Sequence, residues 1–161
     1  MKKSFEEALN AQFEYELASA HLYLAMSSYF EAENLKGLAK WMRVQAQEEY
    51  IHAMKFYGFI VDRGGKVVVP ALGAPKANWK SINVIFEDSL AHEQSITKRI
   101  NDLMDAAVSD KDYPAQQFLA WFVTEQVEEE NTVKDILFKI ELMGTNSMGI
   151  IMLDKELGAR A

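Results

Sequence analysis

Glu16 is followed 33 residues later by Glu49 and 36 later by His52, and Glu93 is followed 33 later by Gln126 and 36 later by Glu129. The two halves of the chain thus repeat one pattern, Glu…Glu-x-x-His and then Glu…Gln-x-x-Glu. On a helix, residues at i and i+3 point from one face. Each half therefore offers a single carboxylate on one helix and a pair of polar groups on the next. Oxygen-rich sites that include one imidazole suit iron. Taken singly, each residue has a plainer reading. A glutamate is solvated by default, a lone histidine more often packs than ligates, and Glu128-Glu129-Glu130 by itself is a wet helix face. The coincidence carries the argument. The stripes Phe13-Glu16-Ala20, Gln45-Glu49-His52-Phe56, Leu90-Glu93-Ile96 and Phe122-Gln126-Glu129-Val133 are apolar runs with a polar interruption. Four carboxylates crowded in a core cannot all ionise without compensating cations. No Lys or Arg set interrupts the stripes at that height, so bound metal is the economical solution.

The elements that must hold these groups are helices. Gly (8) and Pro (3) are sparse in the 161 residues, which favours helix. Ser4 and Glu7 resemble a capping box, and Leu9, Phe13, Ala20, Leu24, Ser27 and Phe30 then recur at helical spacing. The spacing predicts helices over about 4–33, 36–62, 81–108, 114–143 and 146–157. Turns fall at Asn34 and Lys111-Asp112-Tyr113-Pro114, Gly64-Gly65 stops the second helix, and 64–80, holding Pro70, Gly73 and Pro75, is a connection. The two short turns make antiparallel pairs. The middle connection, about 17 residues, can reach ~56 Å at ~3.3 Å per residue, against ~42 Å for a 28-residue helix. It can therefore run the length of the bundle. The expected fold is all-α: a ferritin-like four-helix bundle with one long crossover between helices 2 and 3 and a short fifth C-terminal helix, in one domain spanning 1–161. Partners at equal distance from their turn sit at equal height, which brings all four polar interruptions together near mid-bundle.

Composition narrows the function. The absence of cysteine removes disulfides, thiolate zinc and iron–sulfur ligation. A net charge of −7 without a basic cluster argues against nucleic acid. No apolar run is long enough to cross a membrane, and Met1–Glu7 contains no apolar signal core. A cytoplasmic protein handling cations is the expectation.

With these residues in place, the chain resembles the non-haem bacterial and archaeal ferritins along its length. The resemblance is carried by Leu9-Asn10-Ala11-Gln12, Tyr15-Glu16-Leu17 with Tyr23, Gln47-Glu48-Glu49-Tyr50-Ile51-His52-Ala53-Met54, His92-Glu93, Trp121 to Glu130 and Leu153-Asp154-Lys155-Glu156-Leu157. It implies that Glu16, Glu49 and His52 bind one iron and that Glu49, Glu93 and Glu129 bind a second, Glu49 bridging. Gln126 would sit beside the second iron, and Glu48, Glu125, Glu128 and the shared Glu129 would hold a third. Tyr23, seven residues after Glu16, would donate an electron or a hydrogen bond, or else is a core tyrosine. Trp121 reads as packing. The implied activity is ferroxidase: Fe(II) oxidised to Fe(III) by O2 or H2O2 and stored as mineral in a hollow 24-mer cage of identical chains.

Two positions depart from relatives of this kind. A bacterioferritin-type haem needs methionine after the bridging glutamate, where this chain has Tyr50, so no haem is expected. The acidic pair lining the three-fold channel of animal ferritins corresponds to Gln116 and Leu119, which puts that access route in doubt. Gln126-x-x-Glu129 in place of a second Glu-x-x-His leaves the second iron only hard oxygen donors. That favours release of product, hence storage. A rubrerythrin-like peroxidase or electron-transfer enzyme would want the second histidine and a cysteine-rich module. A DNA-protecting mini-ferritin would place its metal between subunits and lack the fifth helix.

Overall fold

The computed structural model describes residues 1–160. It contains five helices: α1 (Lys3–Ala32), α2 (Lys36–Asp62), α3 (Ile82–Ser109), α4 (Tyr113–Met143) and α5 (Ser147–Leu157). α1 packs along α2 and α3 along α4, and α5 lies against α2. The expected four-helix bundle, crossover and fifth helix are all present, with boundaries within a residue or so of those read from periodicity. Asn34 and Lys111 turn the chain with left-handed backbones (φ 60° and 53°). Gly64, at φ 71°, ends α2 at no steric cost.

The start of α1 differs from expectation. Ser4 lies inside the helix, and the cap position is Lys2, which makes no side-chain capping bond. A Ser-x-x-Glu pattern marks a start only when nothing upstream can continue the helix, and here Lys3 does so. The caps of α3 and α4 are regular: Ser81 accepts from Val84 N, and Asp112 accepts from Ala115 N with Pro114 in the first turn. The crossover is pinned at both ends. Asn10 Oδ1 accepts from Val68 N at 2.7 Å, and buried Trp79 donates Nε1 to Asp88 Oδ2 at 2.8 Å.

The core has two apolar halves. One collects Tyr23, Met26, Phe30, Leu38, Met42, Phe86, Val133 and Ile136. The other collects Leu9, Phe13, Phe56, Ile60, Ile96, Ile100, Leu119 and Phe122. Burying each large side chain stabilises by about 1.5–3 kcal/mol, so both halves hold the helices in fixed register. Between them runs a buried polar layer of Gln12, Glu16, Gln45, Glu49, His52, Glu93, Gln126 and Glu129. Leu24, read as core, is 54% exposed. The buried seam of α1 runs through Leu9, Gln12, Phe13, Glu16, Ser19, Tyr23, Met26, Ser27 and Phe30, and Leu24 lies one position to its side. Leu119 is fully buried within the chain, so its side chain is not offered to a channel between subunits. Gln116 donates to Ala107 O at 3.1 Å.

Candidate metal centre

Each of α1 to α4 contributes to the polar layer near mid-length, with the two apolar halves above and below it. Glu16 from α1 meets Glu49 and His52 from α2, with one ligating atom from each lying within 4.8 Å of the others. His52, Glu125 and Glu129 form a second such group, so His52 belongs to both. Across the bundle, Gln126 Nε2 donates to Glu93 Oε2 at 3.1 Å, and the Tyr23 hydroxyl donates to Glu93 Oε1. Gln45 Nε2 donates to Glu129 Oε2 at 2.9 Å, and Gln12 Nε2 donates to Glu16 Oε1 at 2.8 Å.

Every hydrogen bond to these carboxylates comes from a neutral donor. Glu16 Oε2 and Glu49 Oε2 are buried and accept nothing among the described residues. A buried carboxylate oxygen without a partner is costly, and two that share one site repel each other. Burial, reinforced by the neighbouring Glu49, drives the Glu16 carboxyl far above the usual range. Burial, reinforced by Glu93 and Glu129, does the same to Glu49. Burial raises Glu93 and Glu129 to about 7, against the donors from Tyr23 and Gln126 on the one and Gln45 on the other. No Lys or Arg lies in the buried layer, and a multivalent cation removes the conflict by supplying positive charge there. The donor set of carboxylate oxygens and one imidazole fits iron.

The remaining expected residues fall at different distances from this layer. Glu125 Oε1 lies 3.7 Å from His52 Nε2. Glu48 is turned to Arg160, and Glu128 is exposed. Tyr23 is completely buried; burial and the facing carboxylates raise its pKa, so it stays a neutral donor. Trp121 packs edge-on to His52, centroids 5.4 Å apart, beneath Lys55 Nζ. His92, beside Glu93 in sequence, is no ligand. Its Nε2 pairs with Ser19 Oγ at 2.7 Å, its ring stacks on Tyr15, and burial lowers its pKa to about 4. Sequence reasoning assigned no role to Gln12, Gln45, Arg99 or Arg160. Gln12 and Gln45 each precede a ligating glutamate by four residues, and that spacing was the available signal.

A family model described as ferritin-like domain matches residues 6–143. The chain belongs to the ferritin family. A bacterial non-heme ferritin of Staphylococcus aureus is 41% identical over 160 residues, covering 99% of this chain and 96% of the relative. One from Staphylococcus haemolyticus is 39% identical over 161 residues. The open pore ferritin of the hyperthermophilic archaeon Archaeoglobus fulgidus superposes with a TM-score of 0.99 at 45% identity, covering 100% of this chain and 98% of that one. Its closed, engineered form matches with a TM-score of 0.98. The ferritin fold and a carboxylate–histidine group able to hold a metal ion are thus both present. Among the described residues no helix is long and apolar enough to cross a membrane.

Proposed function

We propose that this ferritin chain binds Fe(II) as substrate in the polar layer, oxidises it to Fe(III) with O2 or H2O2, and passes the product to a ferric mineral inside a 24-mer cage of identical chains. The observation that carries the reading is the pair of partnerless buried oxygens, Glu16 Oε2 and Glu49 Oε2, facing His52. Glu16, Glu49 and His52 form one position for iron. Glu49, Glu93 and Glu129 would form the other, with Glu49 the shared ligand, a reading supported by the charge interaction of Glu49 with Glu93 and Glu129.

Two ferrous ions held side by side supply two electrons together. That number takes O2 to the level of hydrogen peroxide, or hydrogen peroxide to water, with two protons taken up. The residues set up this transfer. Phe122 and Phe56 seal one side of the layer and Tyr23 the other, all buried, so the carboxylates act in a low-dielectric space where their attraction for cations is strong. Protons leave Glu93 and Glu129 near neutral pH as metal arrives. Tyr23 and Gln126 hold Glu93 by both oxygens, fixing its orientation. Replacing a second histidine by Glu129 keeps the outgoing ferric ion on oxygen donors only, which favours release over retention. Glu48, Glu125 and Glu128 would form a further stop on the way out, beside Glu129. The proposed centre is non-haem, a reading supported by Tyr50, which offers no thioether. A cytoplasmic location accords with this role.

Aerobic addition of excess Fe(II) to the metal-free protein, followed by separation by size, tests the reading. Ferric iron comigrating with a shell-sized particle is the expected result. Oxidation that halts near two irons per chain on a small oligomer would point to a di-iron redox enzyme.

A further inference from the structure

Two arginines reach toward the polar layer through an intervening amide. On the α1 side, Arg99 Nε donates to Gln12 Oε1 at 2.8 Å, and Gln12 Nε2 donates to Glu16 Oε1 at 2.8 Å. On the α2 side, Arg160 Nη1 donates to Gln45 Oε1 at 3.0 Å. Gln45 Nε2 in turn donates to Glu129 Oε2 at 2.9 Å and lies 3.4 Å from Glu49 Oε1. A guanidinium can only donate, so the amide oxygen must face it and the amide nitrogen is left pointing inward. In this arrangement the positive charge stays outside the layer while a neutral donor is aimed inward.

Arg160 has a carboxylate partner, whereas the second donor of Arg99 goes to Ala11 O. Its Nη2 donates to Glu48 Oε2, a carboxylate assigned above to the outgoing iron. The guanidinium also lies over the Trp41 ring, 5.0 Å from its centre. The docking of α5 puts it there. Asp154 Oδ1 accepts from Leu38 N at 2.9 Å, capping the first turn of α2, and Lys40 Nζ donates to Gly158 O at 3.1 Å. Gly37 allows the approach, since a Cβ there would stand 1.7 Å from Asp154 O.

We propose that Arg160 is both a positioning residue and a competing cation: it locks Gln45 with its amide nitrogen toward Glu49 and Glu129, and it holds Glu48 until a metal ion displaces it. The inference rests on the di-iron reading. It makes the third metal position weaker than the first two, because occupation there must first break an ion pair. That pair is part-exposed (27% and 37% for the two side chains), so the competition is modest, about three- to tenfold in affinity. The segment after α5 thereby controls how readily iron leaves the pair.

The test is anaerobic titration of the metal-free protein with Co²⁺, a redox-inert stand-in, followed by its d–d absorption. It compares wild type with Arg160→Gln, Arg160→Lys and Arg99→Gln. Arg160 lies beyond the last helix, so its replacement leaves the core intact, and circular dichroism checks this. In wild type, two equivalents bind tightly and a third weakly. Arg160→Gln should tighten the third about three- to tenfold and broaden the absorption of the cobalt held by Glu49 and Glu129. Arg160→Lys keeps a point charge at Glu48 without the fork that also reaches Gln45, so the third equivalent stays weak while the absorption still broadens. Arg99→Gln should leave the third equivalent unchanged. A third equivalent of wild-type affinity in Arg160→Gln, with the first two intact, would overturn the proposal. Failure of wild type to take up the first two would overturn the di-iron reading, and with it this inference.

Discussion

Replacing Glu93 by Gln should change the pH dependence of stability in the metal-free protein. Glu93 is fully buried, and burial raises its carboxyl from 4.5 to about 7. Below pH 4.5 the carboxyl is neutral in folded and unfolded chains alike, so its contribution is fully present. As pH rises, the unfolded chain releases the proton while the folded chain keeps it, and stability falls until about pH 7. The gap of about 2.5 units corresponds to roughly 3 kcal/mol at ~1.4 kcal/mol per unit. Glu93→Gln cannot titrate and escapes this loss. Its amide nitrogen meets Gln126 Nε2 or the Tyr23 hydroxyl, two donors, at a cost of ~1–2 kcal/mol that does not vary with pH. Relative to wild type, the variant should therefore gain about 3 kcal/mol between pH 4.5 and 7.5, from a lower starting point. For a chain of this size that is about 6–12 °C in Tm. Scanning calorimetry of both proteins in chelator, at half-unit pH steps, measures the difference curve. A difference that stays flat, or that falls with pH, would refute the claim that an uncompensated carboxyl sits in the core. Saturating Co²⁺ should restore wild-type stability at neutral pH and remove the slope, since metal takes the proton's place.

Glu49→Ala should abolish fast iron oxidation in stopped-flow absorbance while leaving helical content unchanged, because Glu49 is the ligand common to both positions. Tyr23→Phe keeps the ring and deletes the donor to Glu93. It should cost about 1–2 kcal/mol in the metal-free protein and slow the first turnover several-fold, with the number of irons bound unchanged. Gly37→Ala should undock α5 through collision with Asp154 O, costing about 2–4 kcal/mol in overpacking and the lost cap; limited proteolysis should then cleave within residues 147–160. Leu24, Tyr50 and Ile51, each 54% exposed, make an apolar face on α1 and α2. In the cage reading a second copy covers it, so Leu24→Glu with Ile51→Lys should shift the assembly to smaller species in light scattering.

Much of this was legible in the sequence because two independent periods coincide. Helical spacing gave the five elements, and the 33- and 36-residue intervals placed Glu16, Glu49, His52, Glu93, Gln126 and Glu129 at one height. The contacts from Gln126 to Glu93 and from Gln45 to Glu129 confirm that register. What was not legible depended on relations that one chain's periodicity does not encode. Leu24 fits an i, i+4 stripe from Ala20, yet the buried seam is set by where α2 and α3 actually lie, and it passes to one side. Ser4 had the right partner in Glu7 but the wrong upstream neighbour. The role of Gln45 depends on Arg160, 115 positions away, and that contact exists only because a glycine lets α5 settle on α2. Gln126 and Tyr23 were read as hydrogen-bonding neighbours of the ligands, but Gln12 and Gln45, each one turn before a glutamate of the layer, were not; Gln12 donates to Glu16 and Gln45 chiefly to Glu129.

The central claim is that the polar layer binds a pair of iron ions between Glu16, Glu49, His52, Glu93 and Glu129. Crystals of the metal-free protein soaked anaerobically in Fe(II), with anomalous diffraction recorded on both sides of the iron edge, test it directly. The account predicts two peaks within the four-helix bundle, separated by the Glu49 carboxylate, one contacting His52 and the other Glu93 and Glu129. A bundle interior with no anomalous peak, and iron confined to the outer surface, would contradict it.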